Sequence, residues 1–294
     1  MVDYLLFALL PQIVDGLIVG VALVIVALGL TLVFGLLRVI NLAHGELYMM
    51  GAYVAFAAVS AGINFWFALV IAAAAVGVLG LMLYQFGVRV LLQRHNYAVL
   101  TLLFTFGVSL ILQDMARAIW GVDTHRIAPP VEGILKLGSV IMPNYRLLIL
   151  SVGAVLIAGI GAVLYRTTLG AVLRATAHDP DMVATLGVPV RAMQALTFFV
   201  AGALAAVSGV LLAPIYAVFP SMGHDFVLMA FAIVIVGGMG SVLGTVISGL
   251  VLAQVYTLGS LWIKPVWADT LVFVVMILVL VFRPRGLFGG LGKA

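Results

Sequence analysis

At 294 residues, with 65% hydrophobic and 8% charged side chains, the chain departs from a water-soluble domain, which carries roughly 45–50% apolar and about 25% charged residues. So little charge cannot clothe a water-facing surface, and one membrane domain, residues 1–294, accounts for a length that fits roughly eight to ten crossings of about 20 apolar residues each. The net charge of +4 is scattered along loops and not gathered into a basic stripe, which speaks against nucleic acid as a partner, and the lack of cysteine removes disulfides, thiolate metal sites and a cysteine nucleophile.

The N-terminus, Met1–Tyr4, has no Lys or Arg ahead of the first apolar run, so it lacks the basic region of a cleaved signal and the first span is expected to stay in the mature protein. Apolar segments follow near 13–37, 47–61, 65–87, 98–119, 147–165, 192–213, 226–238, 242–258 and 267–282. Aromatic residues at segment edges, such as Trp66, Tyr84, Trp262 and Trp267, suit interfacial belts. The fold expected is all-α: a polytopic transmembrane helix bundle of about nine spans with two interrupted helix pairs.

The interruptions are two. After the first span comes Arg38-Val39-Ile40-Asn41-Leu42-Ala43-His44-Gly45-Glu46, and the apolar segment behind it is about 15 residues, or ~22 Å of helix, too short to cross alone. In the second half a short segment runs into Gly237-Gly238-Met239-Gly240-Ser241 before apolar sequence resumes. Interrupted apolar segments in corresponding places of two halves point to a transporter's pathway. Pairing these two breaks makes both halves run the same way, as a parallel repeat.

Arginine and lysine set the orientation. Arg89 and Arg94, then Arg166, Arg174 and Arg191, then Arg283, Arg285 and Lys293 mark one side, and Arg38 agrees. That side is expected to be cytoplasmic, with Met1 periplasmic, the C-terminus cytoplasmic and an odd number of spans.

Candidate chemistry starts at the first break. Non-helical backbone at membrane depth needs protein or a water-filled cavity around it, and ionisable residues there are functional candidates. Asn41, His44, Gly45 and Glu46 are thus either pathway residues or a turn at the membrane edge; His44 and Glu46, two apart, share no helix face and imply no metal site. Gly237, Gly238, Gly240 and Ser241 serve close helix packing, the pathway, or both. Asp114 and Arg117, three apart, can form an ion pair near the outer end of the fourth span, whereas His125, His178 and His224 read as solvated loop residues.

Residues 166–191 carry a capped short helix: Asp179 as N-cap, Pro180 and Asp181 in the first turn, Gly187 at the C-terminal cap and Pro189 beyond. Its face offers Met182 and Leu186, four apart, which a groove in a partner could grip. No phosphate-cradling Gly-x-x-x-x-Gly-Lys, His-Glu-x-x-His or Gly-x-Ser-x-Gly pattern occurs, so neither catalytic residues, metal nor cofactor is expected.

Three stretches in order carry a resemblance to a known family. Gly29–Gly35 followed by Ile40-Asn41-Leu42-Ala43-His44-Gly45-Glu46-Leu47-Tyr48 resembles the N-terminal signature of the Liv-type permeases of bacterial ABC importers for branched-chain amino acids. Arg174, Asp179 and Leu186-Gly187-Val188 are similar to that family's cytoplasmic loop, and Gly237–Ser241 with the tail Arg283-Pro284-Arg285-Gly286 resembles its C-terminal motifs. The 89–98 stretch, which reads Arg89-Val90-Leu91-Leu92-Gln93-Arg94-His95-Asn96 at its start, departs from the family pattern. The resemblance implies a five-part machine: this permease subunit, a second homologous permease, two cytoplasmic ATPase subunits and a periplasmic substrate-binding protein, within membrane lipid. The breaks Asn41–Glu46 and Gly237–Ser241, interrupting equivalent segments, are expected to face each other beside the pathway. The short helix is expected to couple to the ATPase through Arg174, Asp179, Met182, Leu186 and Gly187, a loop to which the resemblance also points. The resemblance implies cargo that is a branched-chain amino acid, with urea or short amides as the family's alternatives. A self-contained ion-coupled carrier or channel is the rival from another class, and Glu46 is its one good coupling residue.

Overall fold

The computed structural model describes residues 9–137 and 140–289; Met1 and Lys293, used above for orientation, lie outside them. Among the described residues there are eleven helices and one hairpin. In chain order the helices are α1 (Leu10–Leu37), α2 (His44–Ser60), α3 (Phe65–Leu83), α4 (Tyr97–Trp120), α5 (Asn144–Arg166), α6 (Thr168–His178), α7 (Pro180–Thr185), α8 (Val190–Tyr216), α9 (Met222–Gly237), α10 (Val242–Gly259) and α11 (Pro265–Phe282). Helix α3 is extended by a π-helical turn, Tyr84–Val88, and one further helical stretch to Leu91. Six of these spans are long and apolar enough to cross a membrane, and the chain is a polytopic helical bundle.

Helices α1 and α8 form the centre. A helix that is apolar all round belongs in a protein core or in lipid, and the middle stretches of these two lie in the core: Ala22 to Leu30 and Ala205 to Ala213 are buried without a break. The two run antiparallel, with Ser208 Oγ donating to the Ala22 carbonyl at 2.8 Å and Gly29 opposite Ala201. Small residues set these close approaches, as expected where helices pack without water to drive them together.

Around this pair the elements repeat. Helix α1 packs antiparallel on α10, with Thr31 and Thr245 sharing a hydrogen bond of 2.6 Å; α8 packs antiparallel on α3, with Tyr84 donating to Gln194 at 2.8 Å. Each central helix ends in a left-handed residue that is not glycine, Arg38 (φ 54°) or Ala217 (φ 63°), and a short helix of 17 or 16 residues follows, α2 or α9. The triplet α1–α2–α3 thus has its counterpart in α8–α9–α10, turned upside down. This corrects the parallel repeat: the partner of the 38–43 break is 217–221, and Gly237–Ser241 corresponds to the turn before Phe65.

Arg38, Arg89, Tyr97, Arg191 and α7 gather at one end of the bundle. The other end is closed by a hairpin, Ile134–Leu137 with Val140–Pro143, and by a bridge between His125 and Val218. The hairpin is an addition to the all-α expectation. His125 is not a solvated loop residue: its ring stacks on Phe56 at 4.4 Å and its Nε2 meets the Trp120 carbonyl at 3.0 Å. His224 lies within α9. Helices α4, α5 and α11 sit outermost and present apolar side chains such as Phe106, Val155 and Val281 outward, as lipid-facing helices do.

Candidate functional site

Two half-helices meet head to head in the middle of the bundle. After Arg38 the chain reverses and climbs back beside α1, so that His44 Nε2 reaches the Val26 carbonyl at 2.9 Å. The six residues 38–43, left-handed at Arg38 and turning at Leu42 and Ala43, retrace the ~16 Å of helix between Leu37 and Val26, less than the ~20 Å that six residues can span. Helix α2 therefore starts deep inside. Helix α9 starts at the same depth from the opposite side, and Gly45 and Gly223 press their backbones together: a Cβ built on Gly223 would lie 2.7 Å from the Gly45 carbonyl oxygen.

Interrupting a helix at this depth frees backbone groups that water cannot reach. Side chains answer them. The Leu42 amide donates to Thr105 Oγ1 at 3.1 Å, the Ala43 amide to Asn41 Oδ1 at 3.1 Å, and the His44 amide to the Asn41 carbonyl at 3.3 Å. Asn41, His44 and Glu46 are all at or below 2% exposure. Ser109 donates to Glu46 Oε1 at 3.4 Å, while Asn41 Nδ2, His44 Nδ1 and Glu46 Oε2, with the hydroxyls of Tyr48 and Tyr53, have no hydrogen-bond partner among the described residues. Buried polar atoms left unpaired destabilise a fold by about 1–3 kcal/mol each, so such a cluster in an apolar bundle marks a functional place. Both half-helices bring the positive ends of their dipoles to this point.

One feature of the site escaped the reading of the sequence. Thr101, Thr105, Ser109, Gln113 and Arg117 recur every fourth residue along α4, a polar row in an otherwise apolar helix. Thr101 and Thr105 are buried, Ser109 and Gln113 half-buried, and Arg117 is exposed and paired with Asp114 at 3.1 Å. The row runs past the break to the hairpin end, and its four-residue period was a legible signal.

Gly237, Gly238, Gly240 and Ser241 do not join Asn41–Glu46. Gly237 packs on Gly244, and Gly238 (φ 97°) lies against Phe288 and Gly289 of the tail, which returns to donate from the Leu287 amide to Val236 and from the Phe288 amide to Gly237. Gly240 (φ 87°) faces Gly35, whose Cα would lie 3.2 Å from a Cβ built on Gly240, and Ser241 caps α10 by accepting from the Gly244 amide at 3.1 Å. Met239 alone approaches the first break, sharing with Ile40 and Leu42 an apolar cavity of about 180 Å³.

The 166–191 segment holds two helices where one was expected. Thr167 caps α6 by accepting from the Gly170 amide, and Asp179 caps α7 by accepting from the Met182 amide at 2.9 Å. Gly187 (φ 82°) ends α7 and donates to the Ala184 carbonyl. Val183 is buried beneath it, whereas Met182 and Leu186 are 63% and 75% exposed. Arg174 turns away from them, its guanidinium 5.4 Å from the Tyr165 ring, and lines a small cavity with Gly240.

Residues 12–280 match the protein family described as the permease component of branched-chain amino acid transport systems. The chain belongs to that family. It is 32% identical over 95% of both chains to the high-affinity branched-chain amino acid transport system permease protein BraD of Pseudomonas aeruginosa, and equally to LivH of Escherichia coli. It is also similar to the LivM permease of E. coli, 28% identical over 90% of this chain and 67% of that one. No solved structure matches. Membership in this permease family and the apolar helices make the chain a multi-pass membrane transport protein, and the Asn41–Glu46 break lies at the heart of it.

Proposed function

We propose that the chain is one permease subunit of an ATP-driven importer of branched-chain amino acids in the bacterial inner membrane. The observation that carries the reading is the head-to-head meeting of α2 and α9 with Asn41, His44 and Glu46 buried beside it, in a chain of this permease family. On this reading the chain makes nine passages, α2 and α9 each completing a crossing that the non-helical residues before them begin. The end that gathers Arg38, Arg89 and Arg191 faces the cytoplasm, and the hairpin faces the periplasm. Asn41, His44, Gly45 and Glu46, with the polar row of α4, border the substrate path. Gly237–Ser241 act beside it by fixing α9, α10 and the tail.

Energy reaches this chain through a cytoplasmic ATPase that grips α7, with the exposed Met182 and Leu186 as anchors. The partners are two such ATPases, a second related permease, for which the similarity to LivM speaks, and a periplasmic binding protein. One observation favours an ion-coupled carrier, the unpaired buried oxygen of Glu46. A single experiment separates the two. In proteoliposomes, uptake of labelled leucine requires the ATPase, the binding protein and ATP; accumulation driven by a proton or sodium gradient alone refutes the assignment.

A further inference from the structure

The cavity between α7 and the rest of the bundle has no part in the reading above. It holds about 600 Å³, within the range of small-molecule sites, and opens where α1 and α3 end and α4 and α8 begin. Three guanidinium groups line it, those of Arg38, Arg89 and Arg191, and none of the three forms an ion pair among the described residues. Among the described residues Asp181 is the single carboxylate in the wall, which also holds His178. Gln93 and Gln194 add neutral polar groups, the latter held by Tyr84.

Two of the three cations sit where the local backbone disfavours them. Arg38 adopts a left-handed conformation that helix caps ordinarily give to glycine. Arg191 lies in the first turn of α8, at the positive end of the helix dipole, and that turn has neither an acidic residue nor a side-chain cap. The first turn of α4, at Tyr97, also faces the cavity and is likewise uncapped by a side chain. The formal charges in the wall sum to +2, three arginines against Asp181 with His178 neutral, and although the carbonyl ends of α1 and α6 also reach it, the wall is complementary to an anion.

We propose that this cavity binds a phosphate group, joining α7 to α1, α3 and α8 when it is filled. Arginine pairs with phosphate through two parallel hydrogen bonds, and three such forks around one concavity suit a tetrahedral dianion or a phosphodiester. The phosphate has two possible sources: the headgroup of an anionic phospholipid, whose chains could lie along exposed Phe86 and Val90, which flank Arg89 in sequence, or a free phosphate from the water phase.

Melting of the purified full-length chain, with any partners that accompany it, tests the proposal. It is titrated with short-chain phosphatidylglycerol, with the matching diacylglycerol, and with inorganic phosphate. A saturable rise with phosphatidylglycerol but not diacylglycerol supports the site and names lipid as the source; a rise with inorganic phosphate supports it with a free anion. Arg38→Gln and Arg191→Gln should each weaken the apparent affinity by about tenfold or more, the loss of a charge-assisted hydrogen bond. Arg191→Lys should retain part of it, and Asp181→Asn should tighten binding. No stabilisation by either phosphate source, or equal affinity in the glutamine variants, overturns the site. If those variants do not fold, Asp181→Asn decides alone: tighter binding supports the proposal and unchanged or weaker binding ends it. Loss of a co-purifying ATPase in Arg191→Gln without any phosphate effect would assign the arginines to a protein partner and also end it. The readout is independent of transport, so failure here leaves the permease reading standing.

Discussion

Adding one methyl group at Gly45 should separate the two half-helices. A Cβ there would lie 2.7 Å from the Val227 Cβ and 2.9 Å from the Gly223 carbonyl carbon, with the carbonyl oxygen nearer still. Carbon atoms pack best at about 3.5–4.0 Å, so α2 and α9 must part by roughly 1 Å. The obstacle is largely backbone, and no rotamer change relieves it. Overpacking of this kind costs about 1–3 kcal/mol, and the rigid neighbour places Gly45→Ala near the top of that range. At roughly 2–4 °C per kcal/mol for a chain of this size, melting in detergent should fall by about 6–12 °C. Gly159→Ala on outward-facing α5 is the control: nothing lies within 4 Å, so its melting should stay level or rise slightly. Leucine uptake by the reconstituted importer should drop in Gly45→Ala and not in Gly159→Ala. Wild-type melting and uptake in Gly45→Ala would mean that the two half-helices do not meet as described.

Orientation is testable because the chain has no native cysteine. Thr176 is fully buried and unsuitable, but His178→Cys is exposed and should react with an impermeant reagent only after the membrane is opened; labelling in intact spheroplasts would reverse the topology. Met182→Asp combined with Leu186→Asp should insert normally yet lose the ATPase on purification, and retention with normal uptake would exclude α7 as the coupling element. Thr31→Val should lower stability by only about 0.6 kcal/mol, typical of a hydrogen bond between membrane helices, because Thr245 keeps its bond to the Ser241 carbonyl at 2.9 Å; a loss of several kcal/mol would contradict that. Gly238→Ala should expose the tail to protease, since its Cβ would lie 2.7 Å from Gly289; unchanged cleavage would argue against that packing.

Helix positions were legible because apolar runs and their punctuation carry most of the information in a membrane chain. The segment expected at 242–258 is Val242–Gly259, and that at 98–119 is Tyr97–Trp120. The depth of Asn41–Glu46 was legible too, from the shortness of the segment behind it. The repeat was not. Glycine clusters drew the comparison to Gly237–Ser241, yet the equivalent break falls at Ala217, an ordinary residue marked in sequence only by Pro220. Antiparallel halves also exchange the ends at which equivalent loops lie, which no local pattern reveals. Helix α6 went unseen because the stronger caps at Asp179 and Pro180 follow it directly. The hairpin lies in the connection between the segments expected near 98–119 and 147–165, which has no apolar run long enough to draw notice.

The partners of the first break lie far along the chain, and that bears on how the protein is made. The Leu42 amide finds its acceptor, Thr105, 63 residues later. At about 5–20 residues per second, translation takes roughly 3–13 seconds to deliver it. Gly45 waits longer still for Gly223. Throughout that interval the emerging chain carries a helix too short to cross by itself, with the Leu42 amide unanswered and the Glu46 carboxyl group exposed to whatever surrounds it. The insertion machinery must shelter α2 until α4 arrives, so slowing synthesis between residues 60 and 105 would make the nascent chain vulnerable to proteases well before its folding core exists.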